Sequence, residues 1–359
     1  MRVLHVVGAR PNFMKVAPVM AALDRCAGVR QVLVHTGQHY DANMSDIFFK
    51  QLGLPEPGIN LEVGSGSHAV QTAQIMIKFE EVVCAHRPDM VLVYGDINST
   101  VAAALVCAKL HIPVSHVEAG LRSGDRTMPE EINRLVTDQI VDLLFTPSTD
   151  GDENLLREGV DPAKIHFVGN VMIDTLVRLL PLAEQQGLVE KLALTPQGYG
   201  LVTLHRPSNV DEPAMLQQIM DALVEISHAL PLVFPIHPRT RRRLEDLPIA
   251  IDQTRVKLTE PLGYLEFLAL QRHAKLLLTD SGGVQEESTY LGVPCLTLRE
   301  NTERPVTVTV GTNILVGQDM ERLRQETDRV LSGKGKQGTI PPLWDGHAGE
   351  RIAEILTGK

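Results

Sequence analysis

From Val3 onward, short apolar runs and helical patterns take turns along this chain. The runs Val3–Val7, Gln31–Val34, Asp89–Val93, Pro113–His116 and Asp142–Phe145 read as strands. Between them lie helical patterns at Met14–Cys26, Asp41–Leu52, a long one ending at His86, Ile97–Leu110 and Glu130–Ile140. The strands are apolar throughout rather than alternating, so both their faces are covered, and alternation with helices makes the sheet parallel. After a helix at Met172–Gln185 the pattern begins again, with strands at Gly200–Leu204, Leu232–Pro235, Val256–Leu258, Lys275–Leu278 and Cys295–Leu298. Asp211 is expected to cap a helix carrying Pro213 in its first turn. The parse is α/β, with two doubly wound Rossmann-like domains: residues 1–169 plus 346–359, and residues 170–345. The last helix, His347–Leu356, is expected to return to the first domain.

Length and composition fit that parse. A chain of 359 residues suffices for two α/β domains, and 43% apolar with 22% charged residues is a globular balance. A net charge of −10 argues against nucleic-acid and anionic-membrane partners. The basic run Arg239–Arg243 reads as a solvated helix start. The four cysteines, Cys26, Cys84, Cys107 and Cys295, are far apart without metal spacing and are expected to be buried, reduced thiols. Met1–Val7 resembles no signal peptide, and no apolar run approaches the roughly 18 residues that span a bilayer. A cytoplasmic location is the expectation.

In open parallel sheets ligands sit beyond the carboxyl ends of the strands, and two such domains facing each other enclose a cleft. Residues just after strands are therefore the candidates for chemistry. The turn Thr279–Glu287 joins a strand to a helix through Ser281, Gly282 and Gly283, which lets an anion approach the backbone and the helix start. Glu286 and Glu287 would repel a phosphate, so at least one is expected to reach a neutral group such as a ribose hydroxyl. Gly8–Asn12 follows the first strand, and Arg10 and Lys15 could meet a diphosphate. Asp96, either a helix cap or a catalytic group, shares a sheet edge with Glu118 and Glu130; crowded carboxylates supply an acid and a base from one residue type. His205 and His237 end strands in the second half, and His205 suits a general acid for a departing phosphate oxygen. Arg304 is a further phosphate or ribose contact. The chain has no P-loop pattern, no three-glycine dinucleotide turn and no metal-binding spacing, so neither NAD nor a metal is expected.

Several segments resemble the non-hydrolysing UDP-N-acetylglucosamine 2-epimerases. They are Gly8–Pro11 with Lys15, Gly95–Asp96, His116–Arg122, Pro129–Arg134, His205–Arg206, Thr279–Glu287 and Thr302–Pro305, in family order through nearly the whole chain. The resemblance implies the GT-B fold and a UDP-sugar substrate. It further implies inversion at carbon 2 without a cofactor, through elimination of UDP to a 2-acetamidoglycal and its re-addition. It assigns Asp96, Glu118 and Glu130 as acid/base carboxylates and His205 to the leaving phosphate. Arg10, Lys15, Ser281, Gly282 and Gly283 would hold UDP, Glu287 the ribose and Phe267 the uracil, with Arg134 and Arg304 in the site. A homodimer is the implied assembly.

The chain also departs from the better-known bacterial members. Thr36–Met44 lacks their His-Arg-Glu-Met pattern, where a second substrate molecule binds and activates, so the resemblance does not carry allosteric activation over. Leu262 replaces a glutamine near uracil, and the Gly124–Met128 loop is shorter. These differences suit a branch acting on a modified UDP-sugar, such as a UDP-2,3-diacetamido uronic acid. A hydrolysing epimerase, a GT-B glycosyltransferase and a non-catalytic UDP-sugar sensor are the competing classes.

Overall fold

The computed structural model describes residues 1–37, 49, 51–249 and 251–358. Its contacts divide the chain into two compact units, Met1–Arg178 with Pro342–Lys359, and Leu179–Pro341.

The sheet of the first unit contains β1 (Arg2–Val7), β2 (Arg30–His35), β3 (Ile59–Asn60), β4 (Met90–Tyr94), β5 (Val114–Val117), β6 (Leu143–Thr146) and β7 (Ile165–Phe167). Every pairing is parallel, in the order β3-β2-β1-β4-β5-β6-β7. The strand order reverses between β1 and β4, which makes that gap the switch point where doubly wound sheets take ligands. The apolar runs are buried on both faces, and Leu4, Val6, Val91 and Val93 join Ile75, Phe79 and Ala102 in one core. The helix Ala348–Thr357 packs along the helix Arg10–Asp24 and buries Ile352 and Ala353. Asp174 caps its start, accepting from the amides of Ala348 at 3.1 Å and Gly349 at 2.7 Å.

The sheet of the second unit contains β8 (Gly200–Thr203), β9 (Leu232–Pro235), β10 (Val256–Thr259), β11 (Leu276–Thr279), β12 (Cys295–Thr297) and β13 (Asn313–Leu315). It is also wholly parallel, ordered β10-β9-β8-β11-β12-β13, with its reversal between β8 and β11. Two apolar clusters cover it, one around Leu223, Phe234 and Leu323 and one around Tyr199, Leu270 and Leu277.

The structure corrects several local expectations. Asp211 does not cap the following helix; Glu212 occupies the cap position without a side-chain hydrogen bond, while Asp211 pairs with Arg239 and Arg243 at 2.6 Å each. Two members of the basic run thereby gain a carboxylate partner. Cys84 is exposed and Cys26 half-buried, because the helix His68–His86 turns Ile75, Phe79 and Val83 to the core and leaves Cys84 outside. Cys107 and Cys295 are free and buried, and burial pushes their thiols up to about 12 and about 11. The short strands β3, β7 and β13 and the helix Thr149–Arg157 went unread, being too short or too polar to show a period. Most of the expected helix Asp41–Leu52 lies outside the described residues, as does most of Thr36–Met44.

Candidate functional site

Both switch points gather charged and titratable side chains. In the first unit, Asn12 folds the turn after β1 back on itself, its side-chain oxygen accepting from the amides of Gly8 and Ala9 at 3.1 Å each. Its amide nitrogen donates to the carbonyl of Tyr94 at 2.9 Å, which ties that turn to the end of β4. Beneath the joined turns, buried Lys15 is ion-paired with buried Glu118. Gly95 lies against the pair: a Cβ there would fall 2.6 Å from Lys15 Nζ and 3.2 Å from Glu118 Oε2, and its φ is +64°. Only glycine suits that position. Glu118 itself adopts φ of +73°, a conformation unusual for a side-chain-bearing residue and one that concentrates at functional sites.

Asp96 is not the cap of the following helix, which Ile97 begins; its carboxylate faces Arg134 instead. Arg134 is buried and shared with Glu131, whose Oε2 lies 2.7 Å away. Glu131 also accepts from the amides of Ser123 and Gly124 at 3.0 and 2.9 Å. Burial alone would raise this carboxyl, but those amides and Arg134 hold it below the usual range. Of the two adjacent glutamates, Glu131 therefore fixes the loop and the helix, while Glu130 is half-exposed in the first turn. Asp96 and Glu118 each have a cation beside them, so these two are balanced by opposite charges rather than crowded by like ones.

A buried network joins the two carboxylate-bearing turns. His116, on β5, meets Asp138 at 2.6 Å through Nδ1 and the Gly95 carbonyl at 2.8 Å through Nε2. Asp138 also accepts from the Gly120 amide at 3.1 Å and from Arg122 at 2.7 Å. Burial pushes the Asp138 carboxyl up, yet His116 and Arg122 outweigh that and hold it below its ordinary value.

In the second unit, His205 and Arg206 follow β8, and Asp280 follows β11, one on each side of the switch point. Asp280 is fully buried and accepts from the backbone amides of His205 (3.1 Å) and Arg206 (2.9 Å) and from Asn209 Nδ2 (3.0 Å). Its Oδ1 also lies 3.0 Å from His205 Nδ1. Desolvation opposes ionisation, and the His205, Arg206 and Asn209 contacts overcome it, so the carboxyl stays below its usual range. The imidazole is otherwise open, its side chain 58% exposed.

Ser281 begins the helix Gly282–Leu291, and Ser281, Gly282 and Gly283 are all partly accessible. Arg304 lies over the helix start: a Cβ on Gly282 would come within 2.7 Å of its Nη1. Arg304 is bracketed by Glu286, 2.9 Å from Nε, and by Glu303. Arg304 and Arg299 keep Glu303 far below the ordinary carboxylate range against its burial. Neighbouring Glu287 meets no cation; it accepts from the Tyr264 hydroxyl at 2.9 Å, and burial pushes it up to about 7. The two glutamates thus differ: Glu286 is paired with Arg304, while buried Glu287 has the Tyr264 hydroxyl as its neutral partner. Phe267 packs with Leu262 against the Tyr199 cluster.

Of the sequence-predicted residues, Lys15, Asp96, Glu118 and Arg134 gather around the first switch point. His205, Ser281, Gly282, Gly283, Glu287 and Arg304 lie around the second. Arg10 starts its helix exposed. His237 caps the helix Pro238–Glu245 through Nδ1, a local structural task. Sequence reasoning gave Asp280 no role, because strand order, which puts it beside His205, is not readable from a linear chain. Among the described residues no cluster of three or more His, Cys, Asp or Glu could hold a metal, and no helix is long and apolar enough to cross a membrane.

Comparison with known proteins names the family. Residues 21–357 match the family model described as UDP-N-acetylglucosamine 2-epimerase. The chain belongs to the UDP-N-acetylglucosamine 2-epimerase family. A UDP-N-acetylglucosamine 2-epimerase from Methanocaldococcus jannaschii is 45% identical over 365 residues, spanning 99% of each chain. A UDP-2,3-diacetamido-2,3-dideoxy-D-glucuronate 2-epimerase from Pseudomonas aeruginosa is 44% identical over 360 residues, again spanning 99% of each. The crystal structure of the M. jannaschii UDP-GlcNAc 2-epimerase in complex with UDP-GlcNAc and UDP superposes with a TM-score of 0.89 at 44% identity, covering 100% of both chains. The protein is thus an epimerase of α/β, GT-B-like architecture, as the sequence motifs imply.

Proposed function

We propose that this epimerase inverts carbon 2 of a UDP-2-acetamido sugar, with UDP-N-acetylglucosamine and its manno epimer as the substrate pair. The observation that carries the reading is full-length similarity to a relative whose structure contains UDP-GlcNAc and UDP. The two switch points supply complementary chemistry. Carboxylates balanced by cations gather at the first, and an exposed imidazole beside an accessible helix start lies at the second.

In this reading one carboxylate among Asp96, Glu118 and Glu130 takes the carbon-2 proton. The electrons of that C–H bond become the C1–C2 double bond, and the C1–O electrons leave with the β-phosphate oxygen of UDP. His205 donates a proton to that oxygen. Ser281, Gly282 and Gly283, with Arg10 and Arg304, hold the diphosphate; Glu287 accepts from a ribose hydroxyl and Phe267 borders uracil. Re-addition of UDP, with the carbon-2 proton delivered to the opposite face, completes inversion. Lys15 sets the charge of Glu118, and Arg134 that of Asp96.

Incubation with UDP-N-acetylglucosamine in heavy water tests this. Deuterium at carbon 2 of both recovered UDP-sugars is the expected result; free N-acetylmannosamine with stoichiometric UDP would instead mean hydrolysis. The near-equal identity to the diacetamido-glucuronate epimerase supports a second reading of the substrate. Parallel kcat/KM values for the two UDP-sugars decide between them.

A further inference from the structure

We infer that Asp280 is a positioning residue that fixes the proton-bearing nitrogen of His205, so that one atom, Nε2, both releases and recovers the proton exchanged with UDP. The inference rests on the proposed role of His205. Its basis is geometric. Asp280 lies at the end of β11 and His205 at the end of β8, neighbouring strands at the switch point. The carboxylate is fully buried and accepts four donors from the β8 side: two backbone amides, the Asn209 amide and His205 Nδ1. An ionised carboxylate has no proton to offer, so Nδ1 carries one in both charge states of the ring. Nε2 is left outside that contact, on an imidazole whose side chain is 58% exposed.

This arrangement suits a reaction that runs by elimination and re-addition. When C1–O breaks, the imidazolium passes its Nε2 proton to the departing oxygen and becomes the neutral Nδ1–H tautomer. That tautomer is the one needed to take the proton back when UDP adds again. No ring flip or tautomer exchange intervenes between the half-reactions. The negative charge of Asp280 also stabilises the imidazolium before transfer, as a buried aspartate does behind a general-base histidine in other enzymes.

Asp280→Asn separates this role from simple support. Three donors converge on Oδ2, the His205 amide being shared with Oδ1, so the asparagine oxygen is drawn there. Its NH2 then faces His205 Nδ1, forcing the opposite tautomer. Nitrogen-15 NMR of ring-labelled histidine in the UDP complex reads this directly: Nδ1–H in the parent protein and Nε2–H in the variant. Finding Nε2–H as the neutral form in the parent overturns the inference without any variant having to fold. The kinetic arm uses UDP-N-acetylglucosamine. Asp280→Asn should lower kcat by about 100-fold or more with UDP affinity changed less than about threefold. In a His205→Ala background it should add less than about a twofold loss. An equal loss in both backgrounds would make Asp280 merely structural. Deuterium exchange by the parent enzyme reports separately on the epimerase reading, and the tautomer does not depend on it.

Discussion

Lys15 and Glu118 form a buried ion pair roofed by Gly95, with the left-handed backbone of Glu118 directing its carboxylate onto the lysine. A buried pair of this kind costs desolvation on both sides, and its value appears when one partner is removed. Lys15→Met should destabilise the protein by about 3–5 kcal/mol, read from urea unfolding, because Glu118 is left buried without its cation. Glu118→Gln should also destabilise, since Lys15, equally buried, is left without its carboxylate, though the amide oxygen still offers it an acceptor.

Gly95→Ala should be disproportionately harmful for one methyl group. The new carbon meets Lys15 Nζ at 2.6 Å while the backbone is held at φ +64°. We expect a loss of about 1–3 kcal/mol together with a reduced kcat, as the pair is pushed apart. Thermal unfolding and turnover measured on one preparation check both.

In the proposed mechanism the carboxylates and His205 carry the chemistry, and Arg10 and Arg304 contribute to binding. Asp96→Asn, Glu118→Gln and His205→Ala should each lower kcat by about 100-fold or more with UDP binding largely kept. Arg10→Ala should chiefly weaken UDP binding, by roughly tenfold. Calorimetry with UDP beside steady-state kinetics separates the groups, and near-normal turnover in the first three variants would remove them from the mechanism.

Glu287 gives stability a pH dependence of definite sign. Its folded carboxyl is raised from 4.5 to about 7, so the folded state binds its proton more tightly than the unfolded state does. The stabilisation is complete below pH 4.5 and is lost as pH rises toward 7. Glu287→Gln keeps a neutral group at every pH, so its stability relative to the parent should improve across that window, by up to about 3 kcal/mol. Paired urea titrations at pH 4.5 and 7.5 test it; a constant difference would refute a raised Glu287.

Asp174 should matter most for one helix. It holds the first amides of Ala348–Thr357, so Asp174→Ala should cost about 1–2 kcal/mol and speed hydrogen exchange in that helix before elsewhere. Uniform loss of protection across the chain would contradict a local cap.

The β-α alternation is legible in the sequence because parallel strands buried on both faces are unbroken apolar runs, and candidate residues are legible because they follow those runs. Their partners are not. Asp96 looked equally like a cap, and only the fold shows Arg134 beside it, 38 residues away. Glu130 and Glu131 are indistinguishable as letters; helix phase separates the buried anchor from the accessible acid. Lys15 reads as a group reaching for phosphate, whereas its burial against Glu118 follows from the strand order β1-β4-β5. The dyad of Asp280 and His205 has the same origin in strand order.

The helix Ala348–Thr357 follows the second unit in sequence yet belongs to the first. A ribosome therefore delivers the whole of Leu179–Pro341 before the Arg10–Asp24 helix can meet Ala348–Thr357, leaving an apolar strip uncovered until that helix emerges. A nascent chain halted before Ala348 would present that strip to chaperones.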